Sequence, residues 1–189
     1  MKKTAASFPG VSHLVYEDEM ESTQNTAKML AEEGAEDQTL VWAKKQKAGR
    51  GRMERTWESP EGGLYFSLIL RPNFSPLVLA ELSLKTAKAV SAALFKIAGI
   101  ETRIKPPNDI YARQGETWKK ISGILIEAAG NETRLFWLVI GIGININNRP
   151  QLESATSLKI LTGKDWELKE VLSLVLKEMS KSDLGLGKK

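Results

Sequence analysis

The chain has 189 residues, 42% of them hydrophobic and 26% charged, with a net charge of +4, no cysteine and a single histidine. That length supports one domain with a proper core. The missing thiols exclude disulfides, thiolate nucleophiles and zinc–thiolate sites, and no apolar run reaches the ~18 residues of a membrane-spanning helix. The N-terminus MKKTAASFPG is basic but lacks an apolar signal core, so a cytoplasmic protein is expected.

In chain order, Val11 to Tyr16 alternates as a strand. It carries the only histidine, His13, which reads as a strand residue with satisfied hydrogen bonds rather than a catalytic base. Ser22 is positioned to cap a helix with Ala27, Leu30 and Ala31 on one face, stopped by Gly34. Thr39 to Lys44 is the next strand; a loop rich in glycine and arginine follows, and then the apolar strand Leu64 to Leu70, ended by Pro72. Leu79, Leu82, Val90, Ala93, Leu94 and Ile97 recur at helical spacing before Gly99, which predicts a long amphipathic helix over one sheet face. Short strands are expected at Thr102 to Lys105 and Asp109 to Arg113, separated by Pro106 and Pro107, which cannot continue a ladder. Turns at Gln114 to Thr117 and Asn131 to Thr133 set off strands Ile121 to Ala128 and Leu135 to Ile146 as an antiparallel meander. Asp165 is expected to cap a last helix bearing Leu168, Val171, Leu172, Val175 and Leu176, with Ser182 to Lys189 frayed. The pattern is α+β, one sheet with helices packed on it, and residues 1–181 read as a single domain.

The most informative stretch is QKAGRGRMERTWESPEGGLYFSLILRP, Gln46 to Pro72. Gly49 and Gly51 allow a backbone to bend closely round an anion, while Arg50, Arg52 and Arg55 crowd three fixed positive charges beside them. That combination asks for phosphate; a solvated basic loop, or a patch that grips nucleic acid without chemistry, is the plainer alternative. Two known nucleotide signatures are absent. There is no G-x-x-x-x-G-K-[ST], and neither Gly49 with Gly51 nor Gly141 with Gly143 has the third glycine of a dinucleotide fingerprint.

Three more segments change the balance: ESTQ (Glu21 to Gln24), IKPPNDIY (Ile104 to Tyr111) followed by KKISGILIE (Lys119 to Glu127), and VIGIGININ (Val139 to Asn147). With the arginine loop they resemble, in order and spacing, the catalytic domain of the biotin protein ligase family, from about Tyr16 to Leu161. The resemblance implies the mixed sheet shared by biotin and lipoate ligases and similar to the class II aminoacyl-tRNA synthetase core. It implies an ATP-dependent ligase that activates biotin as biotinyl-5'-AMP, with Mg²⁺ on the phosphates, and transfers it to a lysine of a biotin carboxyl carrier protein. Neither DNA nor a membrane is an expected partner; a homodimer is compatible with the resemblance. No SH3-like C-terminal domain and no N-terminal helix-turn-helix is encoded in these residues.

Matched to the family motifs, Ser22, Thr23 and Gln46 hydrogen-bond the biotin ureido ring and Arg50 does so through its main chain. Arg50, Arg52 and Arg55 lie near the adenylate phosphate, with Arg52 and Arg55 joining Lys105 as the catalytic cations; Lys105 also holds the biotin carboxylate. Trp57 covers the adenine side, Gly123 makes room for the ligand, and Asn145 reads adenine; no metal ligand is assigned. Each has a plainer reading beside it. Ser22 and Thr23 serve equally as a helix cap, Trp57 as a packed aromatic, Lys105 as a strand-end lysine, and Gly141 with Gly143 as sites of close backbone packing. One departure stands out: Lys105-Pro106-Pro107-Asn108-Asp109 occupies the place of the family's Lys-Trp-Pro-Asn-Asp, so the pocket wall is altered. A lipoate or octanoate ligase of the same fold, or a binding module without turnover, are the competing readings.

Overall fold

The alternating segments form seven strands: β1 His13–Met20, β2 Thr39–Gln46, β3 Leu64–Leu70, β4 Thr102–Lys105, β5 Asp109–Gln114, β6 Thr117–Gly130 and β7 Leu135–Ile144. In this computed structural model, which describes residues 8–72 and 75–182, they make one sheet in the order β1-β2-β3-β7-β6-β5-β4. β1 and β2 run parallel and every other neighbouring pair antiparallel. A parallel pair needs a crossover, and helix α1, Thr23–Glu32, supplies it. β3 lies inside the sheet between β2 and β7 with all of its residues buried, which is why it reads as a continuous apolar run.

Strand alternation divides the interior in two. Leu40 and Trp42 of β2, Leu64, Phe66, Leu68 and Leu70 of β3, and Leu138, Ile140, Ile142 and Ile144 of β7 share a core with helices α2, Leu79–Ala98, and α4, Leu168–Ser180. The intervening residues Val41, Ala43, Ile69, Trp137 and Val139 pack on the opposite face against Ala27 and Ala31 of α1. Ser22 caps α1 as expected, its Oγ accepting from the Asn25 N–H. Gly99, in the left-handed conformation, ends α2.

Some expectations need correction. Asp165 does not cap the last helix: α4 starts after Glu167 without a side-chain cap, and Asp165 instead pairs with Lys159 at 2.8 Å. A short helix α3, Leu158–Thr162, capped by Ser157, and a 3₁₀ turn at Pro76–Val78 were not anticipated, since each is too short to show a period. β1 runs on to Met20 and β2 to Gln46, further than their apolar alternation alone indicates. Residues 183–189 of the expected frayed tail lie outside the described residues. Among the described residues no helix is long and apolar enough to cross a membrane.

Candidate active site

The α1 face of the sheet is only half covered by α1. Beyond the helix the outward residues turn from Val139 and Ile69 to Gly141, Gly143, Ser67 and Gly123, and a cavity of about 380 Å³ opens above them, within the range of small-molecule sites. The small residues are the reason for the space. Gly123 and Gly143 are cross-strand partners, and the Trp57 indole lies on this pair. A Cβ on Gly143 would stand 2.4 Å from Trp57 Nε1, and one on Gly123 would stand 3.0 Å from its ring.

One corner of the cavity is neutral and polar. The register Met20 with Gln46 brings the ends of β1 and β2 together at the first turn of α1. There Thr23 N–H donates to Gln46 Oε1 at 2.8 Å, the Thr23 hydroxyl lies 3.1 Å from the same oxygen, and Gln46 Nε2 donates to Ser59 Oγ at 2.7 Å. Ser22, Thr23 and Gln24 are all buried, so their polar atoms must find partners inside the protein or in a ligand.

The arginine loop forms the opposite wall. Trp57 N–H donates to Gly49 O and Gly51 N–H to Arg55 O, closing a narrow turn whose tip, Met53 and Glu54, has positive φ of 53° and 58°. Arg50 donates to Asn25 Oδ1 at 3.0 Å and to Glu127 Oε2 at 3.1 Å, and Arg52 donates to Asn108 Oδ1 at 3.0 Å. Asn108 is itself fixed to β6 by its side chain and main chain through Ile124. Among the described residues the Arg55 guanidinium has no ion pair or side-chain hydrogen bond and stays available to an anion. Burial alone would raise the Glu127 carboxyl; hydrogen bonds from Lys28 and Gln24 and the Arg50 charge outweigh it and hold it below the ordinary carboxylate range. At the loop's exit the Tyr65 hydroxyl donates to Pro60 O at 2.8 Å, and burial pushes its phenol up.

Nine of the residues singled out in the sequence line this one cavity: Ser22, Thr23, Gln46, Arg50, Arg52, Arg55, Trp57, Gly123 and Asn145. Lys105 does not. Lys105 is opposite Asp109, and Asp109 is opposite Gly123, so it shares the site's face but stands two strands further out, roughly 10 Å from Gly123, exposed on the edge strand. The lysine on the cavity wall is Lys120. A register shift after Ile110 re-aims this part of β6, and Lys120 Nζ sits 2.8 Å from Asp109 Oδ1 and 5.3 Å over the Trp57 ring.

The family model for the biotin/lipoate A/B protein ligase family matches residues 17–145. The chain belongs to that family. The bifunctional ligase/repressor BirA of Bacillus subtilis is 43% identical over 171 residues, 87% of this chain and 51% of that protein. The biotin protein ligase of Aquifex aeolicus, solved in complex with biotin and ATP, is 40% identical with a TM-score of 0.75, over 90% of this chain and 70% of that one. The Leishmania major biotin protein ligase in complex with biotinyl-5-AMP is 25% identical with a TM-score of 0.74, over 91% and 74%. The α+β mixed sheet is therefore the biotin protein ligase catalytic fold, and the chain spans about half the length of the curated BirA relative.

Within this family fold the sequence reading overlooked Lys120, Asp109, Asn108, Gln24, Ser67 and Glu127. Three of them had a partial signal. Ser67 interrupts the run Leu64–Leu70 with a small hydroxyl, Lys120 is the second residue of the motif segment from which only Gly123 was taken, and Glu127 ends it.

Proposed function

We propose that the protein is an ATP-dependent biotin protein ligase, which forms biotinyl-5'-AMP and passes the acyl group to a lysine of a biotin carboxyl carrier domain. One observation carries this: a neutral hydrogen-bonding corner and a cation-bearing wall share a single cavity floored by glycine. The corner of Ser22, Thr23 and Gln46 suits a neutral urea; Lys120, Arg52 and Arg55 suit a carboxylate and phosphates.

In the first step a biotin carboxylate oxygen attacks the α-phosphorus of ATP, the bond to the β-phosphate oxygen breaks, and pyrophosphate leaves. Bringing an anion to a polyanion is the difficulty, and preorganised positive charge in a partly desolvated site offsets it. Lys120 answers the need by exchanging Asp109 for the reacting oxygens, while Trp57 limits water access from above the glycine floor. Asn145, buried with its side-chain oxygen accepting from Asn148, lies at the end of the cavity suited to adenine. In the second step a neutral carrier amine attacks the acyl carbon, the carbon–oxygen bond to AMP breaks, and the amine gives up a proton.

Mg²⁺ fits this site as an ion brought by the nucleotide. Among the described residues no cluster of three metal-ligating side chains exists; Asp109 and Glu58 are carboxylates on the cavity wall, and phosphate oxygens and water complete a magnesium shell. Its chemistry would be neutralisation of phosphate charge.

The test is pyrophosphate release and product mass with biotin or lipoate, comparing Lys120→Ala with Lys105→Ala. Lys120→Ala is expected to slow adenylation by about 10²-fold, the effect of losing one preorganised charge-assisted contact, and Lys105→Ala to slow it far less. Folded wild-type protein that makes no adenylate with saturating biotin and ATP would refute the ligase reading. Equal losses in the two variants would return Lys105 to the site.

A further inference from the structure

Behind the polar corner runs a continuous line of buried and half-buried side chains that the sequence motifs do not account for. Thr23 Oγ1 lies 3.0 Å from Ser67 Oγ. Ser67 Oγ donates to Gln24 Oε1 at 3.1 Å, and Gln24 Nε2 donates to Glu127 Oε2 at 3.0 Å. Glu127 also accepts from Lys28 Nζ at 2.8 Å and from Arg50, so it is held as a carboxylate by two cations. The line begins on β6, crosses β3 and ends on the residue at the start of α1 that faces the cavity.

Its direction is dictated from the Glu127 end. A carboxylate only accepts, so Gln24 must offer it Nε2 and turn Oε1 to Ser67. Ser67 has one proton, and that proton is then committed to Gln24. Its oxygen is left to accept, and the sole Thr23 hydroxyl proton, which could otherwise go to Gln46 Oε1 at 3.1 Å, is drawn inward to Ser67. Gln46 is oriented independently, because Thr23 N–H can only donate and requires Oε1 beside it. Toward the cavity Thr23 and Gln46 therefore offer oxygen lone pairs rather than a hydroxyl proton, while Ser22, which accepts from the Asn25 N–H, keeps its own proton beside them.

We propose that Glu127 is a positioning residue that sets the hydrogen-bond polarity of this corner through Gln24 and Ser67, and so selects an acid whose ring presents N–H donors. This rests on the ligase reading given above and deepens it. Glu127 touches no ligand in this scheme. A ring with N–H groups finds acceptors already oriented, whereas one lacking them leaves buried oxygens unpaired, which costs affinity.

The experiment measures the Kd of biotin, and of biotin methylated on its ring nitrogens, for the wild type, Glu127→Gln and Ser67→Ala, with the Kd of ATP and kcat at saturating biotin alongside. Glu127→Gln keeps the shape but can donate to Gln24, which lets the line reverse; Ser67→Ala cuts it in the middle without disturbing the Glu127 ion pairs. Both variants are expected to bind biotin about tenfold more weakly, in the range of a misplaced hydrogen bond. Both should also discriminate less against the methylated form, with ATP Kd within about twofold and kcat within about threefold of the wild type. Glu127→Asp should recover part of the biotin affinity. Melting curves keep the test valid if one variant folds poorly, since the other cuts the same line elsewhere. Variants that match the wild type in biotin Kd and in discrimination overturn the proposal, as does a parallel loss of biotin affinity, ATP affinity and kcat. A wild type that binds no biotin sinks the ligase reading and this inference with it.

Discussion

On β7, Leu138, Ile140, Ile142 and Ile144 face the α2–α4 layer, while Trp137, Val139, Gly141 and Gly143 face α1 and the cavity. The first set is large, apolar and buried throughout; the second shrinks from a tryptophan to glycine along the strand. β3 repeats the contrast, with Leu64, Phe66, Leu68 and Leu70 on one side and Ser67 and Ile69 on the other. The same strands thus carry a stability face and a site face, offset by one residue. Side-chain volume is spent on cohesion in one register and withheld in the other to leave room for a ligand.

The contrast can be broken most heavily on the dry face. Ile140→Ala, at a fully buried position, should cost about 2–5 kcal/mol. That lowers Tm by roughly 2–4 °C per kcal/mol for a chain of this size, while biotin affinity at low temperature is unchanged. Calorimetry with parallel titration checks both halves, and a weakened Kd with unchanged Tm would erase the distinction. On the wet face the reverse holds. Gly143→Val puts a branched side chain where Trp57 lies, 2.4 Å from the nearest indole atom at Cβ alone, and should lower kcat/KM for biotin by on the order of 10²-fold, as displacement of a positioned group does. A rate within threefold of the wild type would show that the glycine floor is not needed.

The smallest effect sharpens the boundary between the faces. Because the folded Glu127 carboxyl is held below its ordinary value of 4.5, the unfolded chain takes up its proton first on acidification. Its stabilisation is fully present above that value and is lost as pH falls through the folded one. For a partly exposed network the contribution is about 1 kcal/mol or less. The Tm gap between wild type and Glu127→Gln, plotted from pH 7 to pH 3, should therefore close on the acid side. A gap that stays constant would show that Glu127 is not ionised in the folded protein at neutral pH.

Much of this was legible in the sequence. β3 and α2 follow from unbroken apolar periodicity, and β4 with β5 from paired prolines between short alternating runs. Nine of the residues singled out in the sequence line one cavity because separated motifs converge in the fold. Lys105 lies outside that cavity, and a motif lysine next to a strand end gives no sign of how many strands separate it from the cavity; that distance is a property of sheet order. Lys120 was hidden by a bulge, which shifts the alternation that a linear reading assumes. Asp165 misled because an acidic residue before a helix has more than one use, and here Lys159 takes it. Gln24 and Glu127 escaped because 103 residues separate them in sequence.

The parallel pairing of β1 and β2 has a consequence for how such a site changes. Crossing back through α1 returns the chain to the end at which β1 began, and β2 then carries it to the end at which β1 left off, so Ser22, Thr23 and Gln46 meet within one uninterrupted stretch, residues 13–46. The glycine floor and Lys120 belong to a separate stretch, 117–144. On the ligase reading proposed above, recognition of the acid's head group and contact with its reactive end would thus be written in different pieces of the gene. Exchanging the first stretch between relatives would transplant the choice of ring as a cassette, with the adenylating half inherited unaltered.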